Sequence, residues 1–200
     1  MPRIHRLNSA AVNQLDKLLR VEAVFQGQLS SHRNALDLAV EYSFLSGFKV
    51  WENFLEGVFV SHARFNDPVS GKRSYPFLMP KTENHALDII KLEKDYMDWT
   101  SPDIVVTRAE ILFRNHSIIT APIKSNMQDL RDAKKVRNYI AHGGNEAKRL
   151  FDAVAQRKLG RKAKGAGDFL ISTPLGRPSS QHFVVYYLQL FKSLAISISQ

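Results

Sequence analysis

From His32 to Arg64 the chain runs without a proline, and apolar groups recur along it at three- and four-residue spacing, at Leu45, Phe48, Leu55 and Phe59. A stretch of that length and period folds as one long helix. Ser30-Ser31 offers a hydroxyl to cap its start, and Asn66-Asp67-Pro68 stops it. The position that completes the apolar stripe is Glu52, a carboxylate where a leucine would ordinarily stand. Buried without a partner it would cost several kcal/mol, roughly, so it either meets a cation or donor or tilts out at the helix edge.

The remaining segments give shorter helices. Leu15, Leu18, Leu19, Ala23, Val24 and Phe25 carry a helical stripe through residues 8 to 29. Asp67 to Lys81, with Pro68, Gly71, Pro76 and Pro80, reads as a covering loop. Thr82-Glu83 opens a helix to about Trp99. Ser101-Pro102-Asp103 joins a serine cap, a proline at the first helical position and an acid in the first turn, and starts a helix to about Asn115. Residues 116 to 121 read as a short apolar link, and Pro122 as the start of a helix that Gly143-Gly144 closes with a left-handed cap. Asn145 to about Leu159 is a further helix. Gly160 to Pro178 reads as a loop, at most a short hairpin at Phe169-Leu170-Ile171, before Ser179-Ser180 caps a last helix through about Ala195. The expected fold is all-α, a bundle of six to seven helices. Two hundred residues, 44% of them apolar, suit a single domain.

Cysteine is absent, which excludes disulfides, thiolate zinc sites and a cysteine nucleophile and fits a reducing compartment, so the cytoplasm is the expected location. Met1 to Asn8 leads into an amphipathic pattern with no signal-like apolar run, and no window reaches the length of a membrane span, so no membrane association is expected. Net charge is +9, and Lys148 to Lys164 holds seven Lys or Arg against the single acid Asp152, which concentrates six of the nine excess charges in one segment. Such a cluster favours a polyanion. Arg157, Lys158, Arg161, Lys162 and Lys164, with Lys134 and Lys135 earlier in the chain, are the candidate RNA contacts; the same composition also describes a solvated helix end and loop.

The sharpest chemistry lies in Lys134-Lys135-Val136-Arg137-Asn138-Tyr139-Ile140-Ala141-His142-Gly143-Gly144. On a helix Asn138 and His142 share a face, while Arg137 is rotated away and must curl its side chain round to reach them. Arg137 also follows Leu130 and Ala133 and precedes Ile140 at helical spacing, which puts it near an apolar face and in need of a partner, for which Glu52 is a candidate. His142 stands near the negative end of the helix dipole, which favours imidazolium. An arginine able to grip a phosphate beside a histidine able to move a proton can cut RNA without a metal, because the ribose 2′-hydroxyl supplies the nucleophile. By spacing alone the commoner fate of an Arg and a His five apart is a salt-bridged arginine and a histidine capping a helix C-terminus.

Arg137-Asn138-Tyr139-Ile140-Ala141-His142, followed by glycine at the end of a late helix, resembles the R-x4-6-H signature of HEPN domains in its common R-N-x3-H form. Upstream, Trp51-Glu52-Asn53-Phe54-Leu55-Glu56 is similar to the aromatic-Glu-x-Phe-Leu-Glu pattern of several HEPN families. The resemblance covers about residues 35 to 145 and leaves 146 to 200 unassigned. It implies an all-helical fold and a metal-independent endoribonuclease that leaves a 2′,3′-cyclic phosphate and a 5′-hydroxyl. It also implies a homodimer with the active site at the subunit interface, and a toxin or antiviral role with an antitoxin or defence-system partner protein. In that frame Arg137 stabilises the phosphorane, His142 is the general acid or base, Asn138 orients the phosphate or the imidazole, and Glu52 fixes Arg137. Relatives modified on a tyrosine two residues past the histidine have Gly144 as their counterpart here, which puts that regulation in doubt.

Two other readings stand beside it, a catalytically silent HEPN domain that binds RNA or a protein and a helical nucleic-acid adaptor outside the family. No H-E-x-x-H, phosphate-cradling glycine loop or G-x-S-x-G is present. His5, His32, His62, His85, His116 and His182 lack ligand spacing and read as surface or helix-end residues, so neither a metal nor another cofactor is expected.

Overall fold

A computed structural model describes residues 3–64, 74–92, 94–175 and 181–199. The fold is all-α. Among the described residues the helices are α1 Arg3–Gln28, α2 Arg33–Ala63, α3 Glu83–Lys91, α4 Pro102–Leu112, α5 Ser117–Ser125, α6 Met127–His142, α7 Asn145–Leu159, α8 Ala166–Leu170 and α9 Phe183–Ser199. Among the described residues one isolated antiparallel bridge pairs Pro76 with Phe113. None of these helices is long and apolar enough to cross a membrane. The stop signal Asn66-Asp67-Pro68, the loop residues up to Arg73, and the cap Ser179-Ser180 lie outside the described residues.

The long helix, the serine-proline start of α4 and the bounds of α7 match expectation, and four local readings do not. The helix opened by Thr82, whose hydroxyl accepts from the His85 N–H at 3.1 Å, ends at Lys91 rather than near Trp99. Leu92 turns left-handed at φ 48°, and the Asp98 carboxylate then takes the Thr100 N–H at 3.1 Å, a local turn that competes with helix. Residues 117–125 form a helix instead of a link, with Pro122 inside it, because burying Ile119 and Ile123 offsets the hydrogen bond that proline cannot donate. The chain breaks at Asn126, whose side-chain amide donates to the Pro122 carbonyl at 2.9 Å, and the motif helix begins at Met127. The fourth difference is α8, where a loop or hairpin was expected; it buries Phe169 and Leu170. In α1, Leu15 is buried, but Ala23 and Val24 are exposed while Glu22 between those apolar positions is fully buried.

Contacts gather the chain into two compact units whose boundary falls within α1, α2, α6 and α9. The first is Met1–Asn13, Val50–Leu130 and Lys192–Gln200; the second is Gln14–Lys49 and Arg131–Phe191. In the first, Phe59 packs edge-on against Trp99 and Phe113 with ring centroids 5.0 and 5.5 Å apart, and the Trp99 indole N–H donates to the Glu56 carboxylate at 3.0 Å. His62, expected at a surface or helix end, is in the last turn of α2 but buried, 5.9 Å from the Phe113 ring.

In the second unit an aromatic series runs Tyr139, Phe151, Phe169, Phe183, Tyr187, Phe44, Phe48, Phe191, each ring 4.3 to 6.2 Å from the next. Gly47 belongs to that packing, since a Cβ there would lie 2.1 Å from a Leu188 methyl. Six members of the series, all but Tyr139 and Phe48, are at most 1% exposed. Each such ring is worth roughly 1.5–3 kcal/mol of burial, and the helix that carries the motif is tied to this series through Tyr139.

Candidate active site

The motif lies where α6 ends. Gly143 and Gly144 take φ of 59° and 77°, the left-handed region that side chains resist, and the Gly143 N–H still donates to the Tyr139 carbonyl at 3.0 Å. The chain then turns directly into α7, whose Phe151 stacks on Tyr139 at 4.5 Å and 15°. These contacts set the last turn of α6 and thereby the three side chains it presents.

Arg137, Asn138 and His142 come together. The Arg137 Nη1–H group donates to Asn138 Oδ1 at 3.3 Å and stands 3.2 Å from His142 Nε2. The arginine thus curls round the helix, as the spacing required. A guanidinium carries only N–H donors, so the contact is a hydrogen bond when Nε2 presents its lone pair and the ring proton sits on Nδ1. Arg137 and Asn138 are half-buried and His142 is exposed, which leaves the cluster open to a ligand. Glu52 belongs to the first unit, half-buried on α2 between the buried Trp51 and Phe54 in sequence, with partial access to solvent at the stripe position.

The candidate RNA contacts divide into two groups. Arg157 and Lys158 on α7 both reach Asp132 of α6, a fully buried carboxylate, Arg157 through Nη2 and Lys158 through Nζ at 3.7 Å. Arg161 pairs with Asp168 at 3.1 Å, and Arg33 of α2 holds the other oxygen of the same carboxylate at 2.9 Å. Burial pushes the Asp168 carboxyl up, but the Lys164 backbone N–H and the Arg161 and Arg33 guanidiniums outweigh it and hold it below the usual carboxylate range. Lys148 pairs with Asp152 at 2.8 Å and Arg149 with Glu146 at 2.7 Å. Five of the seven cations in the basic segment are therefore engaged by carboxylates, whereas the side chains of Lys162 and Lys164 are exposed. Lys134 and Lys135 are half-buried on α6.

Asp132 and Asp168 were missed as organising residues. The signal for Asp132 was its place one turn before the buried Val136 and next to the buried Ala133, where a carboxylate needs partners. Among the described residues no three His, Asp or Glu stand close enough to hold a metal ion. Set against known proteins, the chain matches no family model, no curated protein and no solved structure.

Proposed function

We propose that the chain is a HEPN-type endoribonuclease that cleaves RNA without a metal ion, acting as a toxin or antiviral ribonuclease. The observation that supports it is the convergence of Arg137 Nη1 with His142 Nε2 at 3.2 Å and with Asn138 Oδ1 at 3.3 Å on an open helix end. In the proposed reaction a scissile phosphate displaces the Arg137–His142 contact and takes up the guanidinium through its non-bridging oxygens. Neutral His142, its Nε2 released, accepts the proton of the ribose 2′-hydroxyl as that oxygen attacks phosphorus. The bond from phosphorus to the 5′-oxygen breaks, the leaving oxygen takes a proton, and the products are a 2′,3′-cyclic phosphate and a 5′-hydroxyl. Arg137 stabilises the charge of the phosphorane, and Asn138 holds the guanidinium in place through Oδ1. One histidine serves one of the two proton transfers, and in the proposed homodimer the second copy of the motif serves the other.

Purified protein in excess EDTA is expected to cleave RNA and leave cyclic-phosphate ends, and Arg137→Ala and His142→Ala each to lower the rate by about 100-fold or more with the helical circular dichroism unchanged. Activity lost on chelation and restored by magnesium would overturn the mechanism. Folded, RNA-binding protein with no cleavage under any condition would identify a silent HEPN domain instead.

A further inference from the structure

We propose that the recess around Arg108 on α4 is a binding site for a small singly charged oxyanion, a site separate from the motif and independent of the ribonuclease reading. Arg108 is only 8% exposed, and its Nη1 is buried with no hydrogen-bond partner among the described residues. Burial pushes its pKa below the ordinary arginine value, and among the described residues no carboxylate forms an ion pair with it. A guanidinium does not give up its proton in a protein, so the buried cation needs a counter-charge, and without one the fold carries an uncompensated desolvation cost. Buried arginines ordinarily meet a carboxylate or a phosphate through paired N–H groups.

The residue lines a recess of about 400 Å³, room for an oxyanion group together with the small molecule that carries it. Ile104 lies one turn before Arg108 on the same face of α4, and the connector from α3 to α4 brings Lys94, Tyr96, Asp95 and Asp98 to the rim. Asp98 is engaged in its own turn, donated to by the Thr100 N–H and hydroxyl. Among the described residues two cations and two carboxylates line the recess and balance in charge, which disfavours a polyanion such as an RNA backbone. A carboxylate, or a phosphate carrying one charge, puts two oxygens on Arg108 with Lys94 and the Tyr96 hydroxyl as further donors, and leaves Asp95 to repel a second charge.

The test is thermal unfolding of the whole protein with inorganic phosphate or acetate titrated at constant ionic strength against chloride. A saturable rise in midpoint is expected, about 3–6 °C at ten times the dissociation constant, by mass action on the folded state. Response to phosphate alone assigns a phosphate head group, response to acetate alone a carboxylate, and response to both the shared chemistry. Arg108→Gln should abolish the rise and Arg137→Ala should retain it, which keeps this site distinct from any phosphate contact in the motif. Should Arg108→Gln fail to fold, the Arg108 side-chain N–H resonance of the wild-type protein is followed through the same titration and is expected to move with it. No saturable response to either anion, an unaltered response in folded Arg108→Gln, or an Arg108 resonance that stays still while the midpoint rises would overturn the assignment.

Discussion

His62 makes the first unit sensitive to acid by an amount that can be worked out. Burial lowers its pKa from the ordinary 6.5 to about 4, and its Nε2 has no hydrogen-bond partner among the described residues. The unfolded chain therefore binds a proton that the folded chain refuses. For a group whose folded pKa is depressed in this way, stability rises with pH; its contribution is complete above pH 6.5 and is lost as pH falls towards 4. The full gap is worth ~3.4 kcal/mol, and the part lost between about pH 7 and pH 5 is ~1.8 kcal/mol. His62→Leu keeps an apolar side chain of similar bulk against Phe113 and removes the titration. Urea unfolding of both proteins at the two pH values isolates the effect, because Glu22, Glu41 and Asp168, whose carboxyls also shift, titrate equally in each. The leucine variant should gain ~1.8 kcal/mol on the wild type between about pH 7 and pH 5. If the two pH profiles run parallel, His62 is reached by water or takes a partner on protonation, and the argument from burial fails.

Other outcomes follow from the charge pairs of the second unit. Replacing Arg157 and Lys158 together by alanine strands the buried Asp132 carboxylate and should cost on the order of 3 kcal/mol, and adding Asp132→Asn should recover much of it; a triple variant no more stable than the double would show that Asp132 does not depend on those cations. Lys162→Gln with Lys164→Gln is expected to leave the unfolding midpoint in place and to flatten the salt dependence of single-stranded RNA binding by about 1.4 in logarithmic slope if both touch phosphate. An unchanged slope would make the exposed part of the basic segment a solvated surface. Gly143→Val should lower stability through its φ of 59° and blunt RNA cleavage by displacing His142, read as a loss of both midpoint and rate; unchanged values would mean that the last turn does not set the site.

Helices were legible where one local signal had no competitor. The proline-free run that became α2, the Ser101-Pro102-Asp103 start of α4, and the diglycine after His142 each fix a boundary by backbone chemistry that tertiary packing did not override. Pro122 misled because proline is favoured at the start of a helix, yet its fixed φ is helical, and burial of Ile119 and Ile123 on either side kept it within α5. The end of α3 was hidden for a different reason. Met97 and Trp99 continue an apolar pattern that looks helical, but they are buried from a turn built on Asp98 and Thr100, and nothing in a period count separates the two cases. The short α8 depended on long-range partners, Glu41 accepting the Gly167 N–H at 2.8 Å and Arg33 holding Asp168, which lie more than 120 residues earlier in the chain.

The same distinction decides how charge should be read at the candidate site. Arg137, Asn138 and His142 lie within one and a half turns of one helix, so their meeting follows from helical geometry and a long side chain, and sequence spacing was sufficient to expect it. The basic segment is a different kind of feature. Its net charge counts cations without saying where the carboxylates of other elements fall, and Asp132 on α6 and Asp168 on α8 claim three of the five residues singled out there as RNA contacts. An arginine already gripping a buried carboxylate has spent part of its donor set, and to contact phosphate it must use the N–H groups that remain outward. Arg157, with 44% of its side chain exposed, and Arg161, with 53%, keep such groups, while Lys158 at 24% keeps fewer. Arg157 and Lys158 therefore brace the motif helix, Arg161 holds α8, and the cluster can offer a polyanion only its outer face, so the electrostatic contribution to RNA binding should fall well short of what seven unpaired cations would give.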